Sequence, residues 1–485
     1  METVKQRGAP TQDAGAILDR LRSIVGPQAV LTEPAELEPH LTEWRGLYRG
    51  EATALVLPGT TAEAADVVAA CAAARVAMVP QGGNSGLVGG AIAHAEPGRP
   101  EIILGAGRLN RIRELDAANY TITVEAGCVL ADLQAAAEAA HRLFPLSLGA
   151  EGTCQIGGNI SSNAGGINVL RYGNTRDLVL GLEVVLPDGR VFDGLRGLRK
   201  DNTGYDVKQL FIGAEGTLGF VTAATCKLYP QPGSVATAMV AVPDVAAAIG
   251  LHGSARDQLG GQLSAFELIA RLPLQLVLDR IPGTREPLDR IYDWYVLLEL
   301  APAARDAQAQ LEAFLAGRLE SGAIIDGMLA QNEAQREALW RVRHSISEAE
   351  KQAGAGIKHD VAVPVSRVAE FIDKAGAAAV AQVPGAHVVV FGHLGDGNIH
   401  FNLQQPPGMD RQAFLDRWEA VSRVVHTVAH DFGGSFSAEH GVGAMKRDEL
   451  ARLRGGVEYE LMRTLKRTLD PHGLMNPGKL FPAAD

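Results

Sequence analysis

The chain has 485 residues, 46% of them apolar and 21% charged, with a formal net charge of −11. Such a length exceeds one ordinary domain and corresponds to roughly three domain-sized units, while the composition is that of a globular protein with a sizeable core. The acidic balance argues against nucleic acid or an anionic membrane as the main partner, since both demand a dense basic surface. No run of about 18 uninterrupted apolar residues occurs, so no transmembrane segment is expected. The N-terminal METVKQRGAPTQDAG has no apolar stretch, and a secretory signal is not expected either. Cys71, Cys128, Cys154 and Cys226 all lie in the first half, without a Cys-x-x-Cys spacing. A reducing, cytoplasmic setting is the expectation, without a cysteine-held zinc or iron–sulfur cluster.

In chain order, residues 11–25 read as a short amphipathic helix. Residues 52–57 read as a strand closed by Pro58. The alanine-rich 60–75 reads as a helix, with Thr60 or Thr61 as N-cap and Glu63 in its first turn. A strand over 76–80 then runs into QGGNSGLVGG, residues 81–90. Glycines there let the backbone approach an anion and present successive N–H groups. The spacing fits neither a dinucleotide fingerprint nor a phosphate-binding P-loop. Strand-like stretches over 101–112 and 121–130 precede a helix over 131–143. A second glycine-rich stretch covers 149–173, and a third covers 200–220 after a strand pair at 179–193. Glycines number 55 in all, about 11% against a usual ~7%. Three such loops, each bounded by strands, suggest one long dinucleotide held by backbone amides.

The segment YPQPGS at 229–234 marks a boundary. Strands at 236–242 and 293–300 then alternate with helices at 243–252 and 304–317, an α+β pattern. One helix is expected over 332–353, with Leu339, Val342, Ile346 and Ala349 as its core stripe. Arg343 and Ser347 stand four apart on the adjacent stripe. A strand over 357–364 carries Lys358 and Asp360 on one face. Then comes HVVVFGHLGDGNIHFNL, residues 387–403. Period-2 alternation places His400 and Asn402 on one face of its second strand and Ile399, Phe401 and Leu403 on the other. His393 lies across the Gly-Asp-Gly turn, and SAEHGVG downstream supplies Glu439 and His440. His393, His400 and Glu439 form a candidate metal triad. Two imidazoles and a carboxylate leave positions open for substrate and suit zinc, iron(II) or manganese. Helices are expected over 410–430 and 457–469. Gly473 to Lys479 fits G-x-x-x-x-G-K, but Leu480 stands where Ser or Thr would hold magnesium and the chain soon ends, so it reads as a turn.

The motifs PQGGNSGLVGG, GGNISSNAGG, LRKDNTGYDVKQLFIGAEGTLG, GHLGDGNIHFN, SAEHGVG and NPGK occur in that order between about residues 40 and 480. Together they resemble the FAD-linked oxidase superfamily of vanillyl-alcohol oxidase and p-cresol methylhydroxylase. Within it the chain resembles the D-2-hydroxyacid dehydrogenase branch, most of all the D-2-hydroxyglutarate dehydrogenases. The resemblance implies an α+β fold: a two-part FAD-binding domain over 1–228, a substrate and metal-binding cap over 229–440, and a C-terminal segment over 441–485 packing back near the flavin. It implies FAD held by Pro80, Gln81, Gly82, Gly83, Asn84, Ser85 and Gly86 of the first loop. From the second loop it implies Gly149, Gly152, Gly157, Gly158, Asn159, Ser162, Asn163 and Gly165, and from the third Glu215, Gly216, Gly219 and Val221. The first loop has Asn84 and no histidine, and Cys154 reads as a packed residue, so the FAD is expected to be non-covalent. The same resemblance makes His393, His400 and Glu439 ligands of a divalent metal, zinc above others.

The expected reaction is oxidation of a D-2-hydroxyacid to the 2-oxoacid, with the metal on the 2-hydroxyl and C1 carboxylate, His440 as general base and hydride passing to flavin N5. Asn402 would orient the substrate oxygen. Arg343, Ser347 and Lys358 would grip a second carboxylate, which favours D-2-hydroxyglutarate or D-malate over D-lactate or glycolate. A non-catalytic flavoprotein subunit is the alternative of another class. An electron-transfer flavoprotein or quinone-linked carrier is the expected acceptor, and a homodimer is compatible with the sequence.

Overall fold

The computed structural model describes residues 14–94 and 100–482. The expected first helix spans Ala14–Val25; residues 11–13 lie outside the described residues. Strands Ala54–Val56, Glu101–Gly105 and Ala77–Gln81 run parallel, with Val30–Leu31 antiparallel at one edge. The helix Thr61–Ala74 starts where the Thr60 hydroxyl accepts the Glu63 N–H at 3.1 Å. Its buried residues Ala64, Val67, Val68 and Cys71 recur at helical spacing and face the sheet. Each such valine contributes about 1.5–3 kcal/mol by leaving water. Burial pushes the Cys71 thiol up to about 12, the mark of a packed rather than reactive cysteine.

A second, antiparallel sheet orders Ile112–Asp116, Thr121–Glu125, Phe220–Lys227, Val179–Val185 and Val191–Gly194. The glycine loops leave these two sheets and converge at one end. The second of them is not a plain loop: it contains the helices Ile156–Ser162 and Val169–Tyr172. Gly157 enables the first of these, since a Cβ there would lie 2.7 Å from that of Ala126.

The cap is one eight-stranded antiparallel sheet. Its path runs Asp326–Leu329, Ala236–Val242, Trp294–Leu300, Leu263–Ala270, His387–His393, Asn398–Gln404 and Gly356–Ile357, with Asp360–Ala362 also on Asn398–Gln404. Leu263–Ala270 lies at its centre, buried on both faces: Phe266 and Leu268 join one core cluster, Ala265 and Ile269 another. A strand buried on both faces reads as an apolar run rather than an alternation, which is why its residue pattern does not announce it. The single helix expected over 332–353 is two, Glu333–His344 and Ile346–Ala353, interrupted at Ser345 with ψ near −5°. All four stripe residues are buried. Arg343 and Ser347, however, fall on different helices: Arg343 is buried and Ser347 exposed, so the shared helix face expected for them does not form.

The chain end packs back on the first sheet. Met78 N–H donates to Leu474 O at 2.8 Å and Asn476 N–H donates to Met78 O at 2.7 Å. Lys479 is 2% exposed and donates to Pro477 O, so Gly473–Lys479 is a structural strap. The loop 432–446 is bracketed by helices Trp418–Asp431 and Arg447–Leu453. Glu449 joins them, with His426 Nδ1 at 3.1 Å and Arg452 Nη2 at 2.6 Å. Burial opposes ionisation of Glu449, yet His426 and Arg452 hold its pKa down to about 2. A folded value below the ordinary 4.5 gives stability that is present above about pH 4.5 and lost as pH falls towards 2. Glu449→Gln is therefore expected to lower Tm by ~2 °C at pH 7. Thermal melts should show that deficit narrowing between about pH 4.5 and 3; an unchanged deficit would rule out this ion pair as its source.

Candidate active site

Strands His387–His393 and Asn398–Gln404 form a hairpin in which His393 pairs Asn398 and Phe391 pairs His400. Ile399, Phe401 and Leu403 are fully buried in the cap core, which turns His400 to the other face. The loop 432–446 brings Glu439 between the two imidazoles: His393 Nε2 lies 3.7 Å from Glu439 Oε1, and His400 Nε2 lies 3.8 Å from Oε2. One ligand atom from each residue falls within 4.8 Å of the others. Glu267 stands directly across the ladder from His393, and its Oε1 accepts from His393 Nδ1 at 2.7 Å. With Nδ1 donating to Glu267, Nε2 faces Glu439 and would be the liganding nitrogen once a cation displaces its proton, the arrangement of a metal-ligating histidine. Two imidazoles and a carboxylate with converging lone pairs fit a divalent cation.

The electrostatics of the cluster follow from its burial. Burial alone would lower the His393 pKa, but the carboxylates of Glu267 and Glu439 outweigh it and raise it to about 9. Burial raises Glu439 to about 7, with His393 opposing and Asp360 and Asp396 adding to the rise. His400 is lowered well below its ordinary value by burial, against the pull of Asp360. Both acids thus have reason to accept a cation in place of protons.

Asp360 organises the remainder. Its Oδ2 accepts the backbone N–H groups of Glu439 and His440 at 2.9 and 3.0 Å, and its Oδ1 accepts Asn398 Nδ2 at 2.9 Å. His440 Nδ1 lies 3.5 Å from Oδ2. Burial opposes the charge on Asp360, but His440, Lys446 and His400 keep its pKa far below the usual range. Burial lowers the His440 pKa, with Asp360 opposing and Lys446 adding; His440 is a neutral imidazole able to take a proton.

The residues expected to grip substrate are placed differently from the expectation. Arg343 Nε donates to Glu267 Oε2 at 2.7 Å, and its guanidinium lies 5.1 Å from the Phe391 ring centroid. Lys358 Nζ lies 3.1 Å from Glu350 Oε2. The two cations are therefore not free: each is already paired with a buried glutamate. Arg343 Nη2 is nevertheless buried without a hydrogen-bond partner among the described residues. Asn402 donates to both Glu350 oxygens and accepts the His359 N–H at 3.0 Å. Through these bonds Asn402 holds Glu350 and the 358–360 segment.

The three glycine loops meet this cluster. A Cβ on Gly165 would come within 3.3 Å of Glu439 Oε1, so the second loop abuts the histidine–glutamate group. Glu215 of the third loop accepts the Val442 and Gly443 N–H groups, both at 2.7 Å. Asn476 Nδ2 donates to Gly90 O at 2.9 Å and to Glu215 O at 2.7 Å. Several residues expected to hold FAD use their side chains to shape the loops. Gln81 bonds His40 and Ala91 O, Asn84 bonds Pro39 O and Thr42 O, Ser162 bonds Gly158 O, and Asn163 accepts the Arg176 N–H. The Glu215 carboxylate is likewise spent on the 442–443 backbone. Pro80 packs beside Gly216, and Gly219 beside Val184; Val221 is 4% exposed. Space for a ligand lies elsewhere: an added Cβ on Gly86, Gly149, Gly152 or Gly158 would meet no atom within 4 Å. Asn159 Oδ1 and Gln155 Oε1 are buried there without hydrogen-bond partners among the described residues. Open backbone and orphaned acceptors fit a polar cofactor in this cradle.

Comparisons agree with that fit. The FAD binding domain family matches residues 52–194, and the C-terminal domain family of FAD linked oxidases matches 231–480. A probable D-2-hydroxyglutarate dehydrogenase, mitochondrial, from Oryza sativa subsp. indica is 39% identical over 95% of this chain and 81% of its own. A D-2-hydroxyglutarate dehydrogenase from Stutzerimonas stutzeri is 36% identical over 96% of this chain and 99% of its own. The structure of p-cresol methylhydroxylase with substrate bound superposes with a TM-score of 0.76 at 16% identity, covering 96% of this chain and 97% of its own. The fold is that of the vanillyl-alcohol oxidase and p-cresol methylhydroxylase superfamily, and the chain belongs to the FAD-linked oxidase family. Within that family it is an FAD-dependent dehydrogenase of the D-2-hydroxyacid branch. Among the described residues, no helix is long and apolar enough to cross a membrane.

Sequence reasoning overlooks three carboxylates in this site. Glu267 sits alone in an apolar run, SAFELIA, and a lone acid in such a run is the available signal, since burial demands a partner. Asp360 shows only as a neighbour of Lys358, and Glu350 only as one acid of a charged helix. A steric test of the cofactor cradle is available at Gly83, where a Cβ would collide with the Thr153 carbonyl oxygen of the second loop. Gly83→Ala is expected to yield protein with much reduced bound flavin, read from the 450 nm to 280 nm absorbance ratio (~450 nm being the usual flavin band); full flavin content would show that the two loops need not meet.

Proposed function

We propose that the protein oxidises D-2-hydroxyglutarate to the corresponding 2-oxoacid, using non-covalent FAD and a divalent metal, zinc above others. The observation that carries this reading is the convergence of His393, His400 and Glu439 within 4.8 Å beside the Gly165 backbone of a flavin loop, with the Arg343 guanidinium in the same electrostatic field. Relatives that span nearly the whole chain carry that enzyme's name. Bound FAD supplies the two-electron acceptor for the substrate's α-C–H, and a bound cation supplies Lewis acidity at its 2-hydroxyl.

The chain's own residues do the rest. His393, His400 and Glu439 hold the cation, and Glu267 and Asp360 fix the rings and the loop around it. His440, neutral and anchored through its own backbone N–H to Asp360, takes the 2-hydroxyl proton. Arg343 acts on Glu439 and the two liganding histidines, while Lys358 acts on His440. Arg343 and Lys358 would meet the second carboxylate of a dicarboxylate, in a field already set by Glu267 and Glu350. Cys154, 2% exposed, is a packed thiol, which supports a non-covalent flavin. An electron-transfer flavoprotein or quinone-linked carrier would reoxidise the enzyme.

Anaerobic mixing with D-2-hydroxyglutarate is expected to bleach the flavin absorbance, faster than D-malate and much faster than D-lactate. His440→Ala should slow bleaching by about 100-fold or more while flavin and metal content stay at parental levels. A preference for D-lactate would overturn the substrate assignment. Unchanged bleaching by the His440 variant would overturn its role as base.

A further inference from the structure

Glu267 is 1% exposed, and the reaction just described does not use it chemically. Its two oxygens go to two functional groups: Oε1 to His393 Nδ1 and Oε2 to Arg343 Nε, both at 2.7 Å. We propose that Glu267 is a positioning residue that sets the metal ligand and the anion-binding arginine from one carboxylate, so that metal affinity and substrate-carboxylate affinity are built on the same side chain. This inference rests on the metal and substrate reading above.

The geometry supports it in three ways. First, the cross-strand register places Glu267 opposite His393, so the backbone of two central strands fixes the carboxylate and a rotamer change cannot supply a substitute. Second, with Nδ1 held by Glu267, Nε2 is the ring nitrogen turned to Glu439, 3.7 Å from its Oε1. Third, Glu267 takes the Nε edge of the Arg343 fork. Arg343 Nη2 is left buried and unpartnered among the described residues, with Phe391 against the guanidinium. A buried donor without a partner is costly, and a substrate carboxylate would be one partner for it. The Phe391 ring also lies 4.9 Å from that of His400, so the arginine, the two histidines and the glutamate form one contiguous packed unit.

The test uses the flavin-loaded full chain stripped of metal. Zinc affinity is measured by competition with a chromophoric chelator, and KM and kcat for D-2-hydroxyglutarate are measured at saturating zinc. Glu267→Gln is expected to weaken zinc binding by about 10–100-fold and to raise KM by about tenfold, with kcat less affected than KM. Glu267→Asp keeps the charge but is too short to reach both partners. It is expected to lose one of the two effects and retain the other, and it carries the test if the Gln variant fails to hold flavin or to melt cooperatively. Parental zinc affinity and parental KM in these variants would overturn the proposal. His393→Ala separates the two levels. If it releases zinc while the Glu267 variants do not, only the role of Glu267 falls; if it too keeps parental zinc affinity, the metal reading of the site falls with it.

Discussion

The site depends on one buried carboxylate. Asp360 accepts three N–H groups from two separated parts of the chain: the side chain of Asn398, and the backbones of the adjacent Glu439 and His440. Two more contacts extend this junction into a short ladder, since Ala362 and Ser435 exchange backbone hydrogen bonds at 3.0 and 2.7 Å. Without it the 432–446 loop has no reason to stop with Glu439 between two imidazoles. A carboxylate accepting several N–H bonds is favoured in its charged form even when buried. Removing one partner from such a buried charge network costs about 3–5 kcal/mol, a large share of the 5–15 kcal/mol that holds a typical domain together. The same side chain therefore supports the stability of the loop and its register against the hairpin.

A second junction ties this loop to the cofactor half. Glu215 spends its carboxylate on the Val442 and Gly443 N–H groups, and Asn476 draws the chain end onto Glu215 and Gly90. The residue pattern ranks Glu215 as a cofactor contact. Its side chain is a fastener between the third glycine loop and the loop that carries Glu439 and His440. Several other polar residues of the glycine loops behave alike, with Gln81, Asn84 and Asn163 bonding neighbouring backbone. What they leave for a ligand is main chain, open at Gly86, Gly149, Gly152 and Gly158. Backbone amides are uniform along a chain, so a cofactor held this way needs loops of defined shape more than particular side chains.

Charge on the substrate side follows a related logic. Arg343 and Lys358 read in the sequence as two free cations awaiting a dicarboxylate. Each in fact faces a buried glutamate, because an isolated buried or half-buried cation would be costly and the protein supplies its counter-charge. In the proposed reading, an anion would be recognised by the donors those glutamates leave unpaired rather than by net positive charge.

Much of the architecture was legible before any coordinates. The strand–helix–strand start, the three glycine loops, the hairpin with His393 and His400, and Glu439 and His440 in a downstream loop are all local patterns. Period-2 alternation is enough to turn His400 away from Ile399, Phe401 and Leu403. What stayed hidden has a common cause. Leu263–Ala270 is buried on both faces and so lacks alternation, and with it went Glu267, the partner of both His393 and Arg343. The break at Ser345, which separates Arg343 from Ser347, has no helix-stopping Gly or Pro to announce it. Asp360 and Glu215 are ordinary acids in sequence; only the folded chain brings distant N–H groups to them. Sequence alone thus determined which residues can bind a cation or move a proton. The tertiary structure decided which carboxylates hold those residues in place, because a hydrogen bond between residues scores to hundreds of positions apart is a property of the folded register and leaves no periodic trace in the chain.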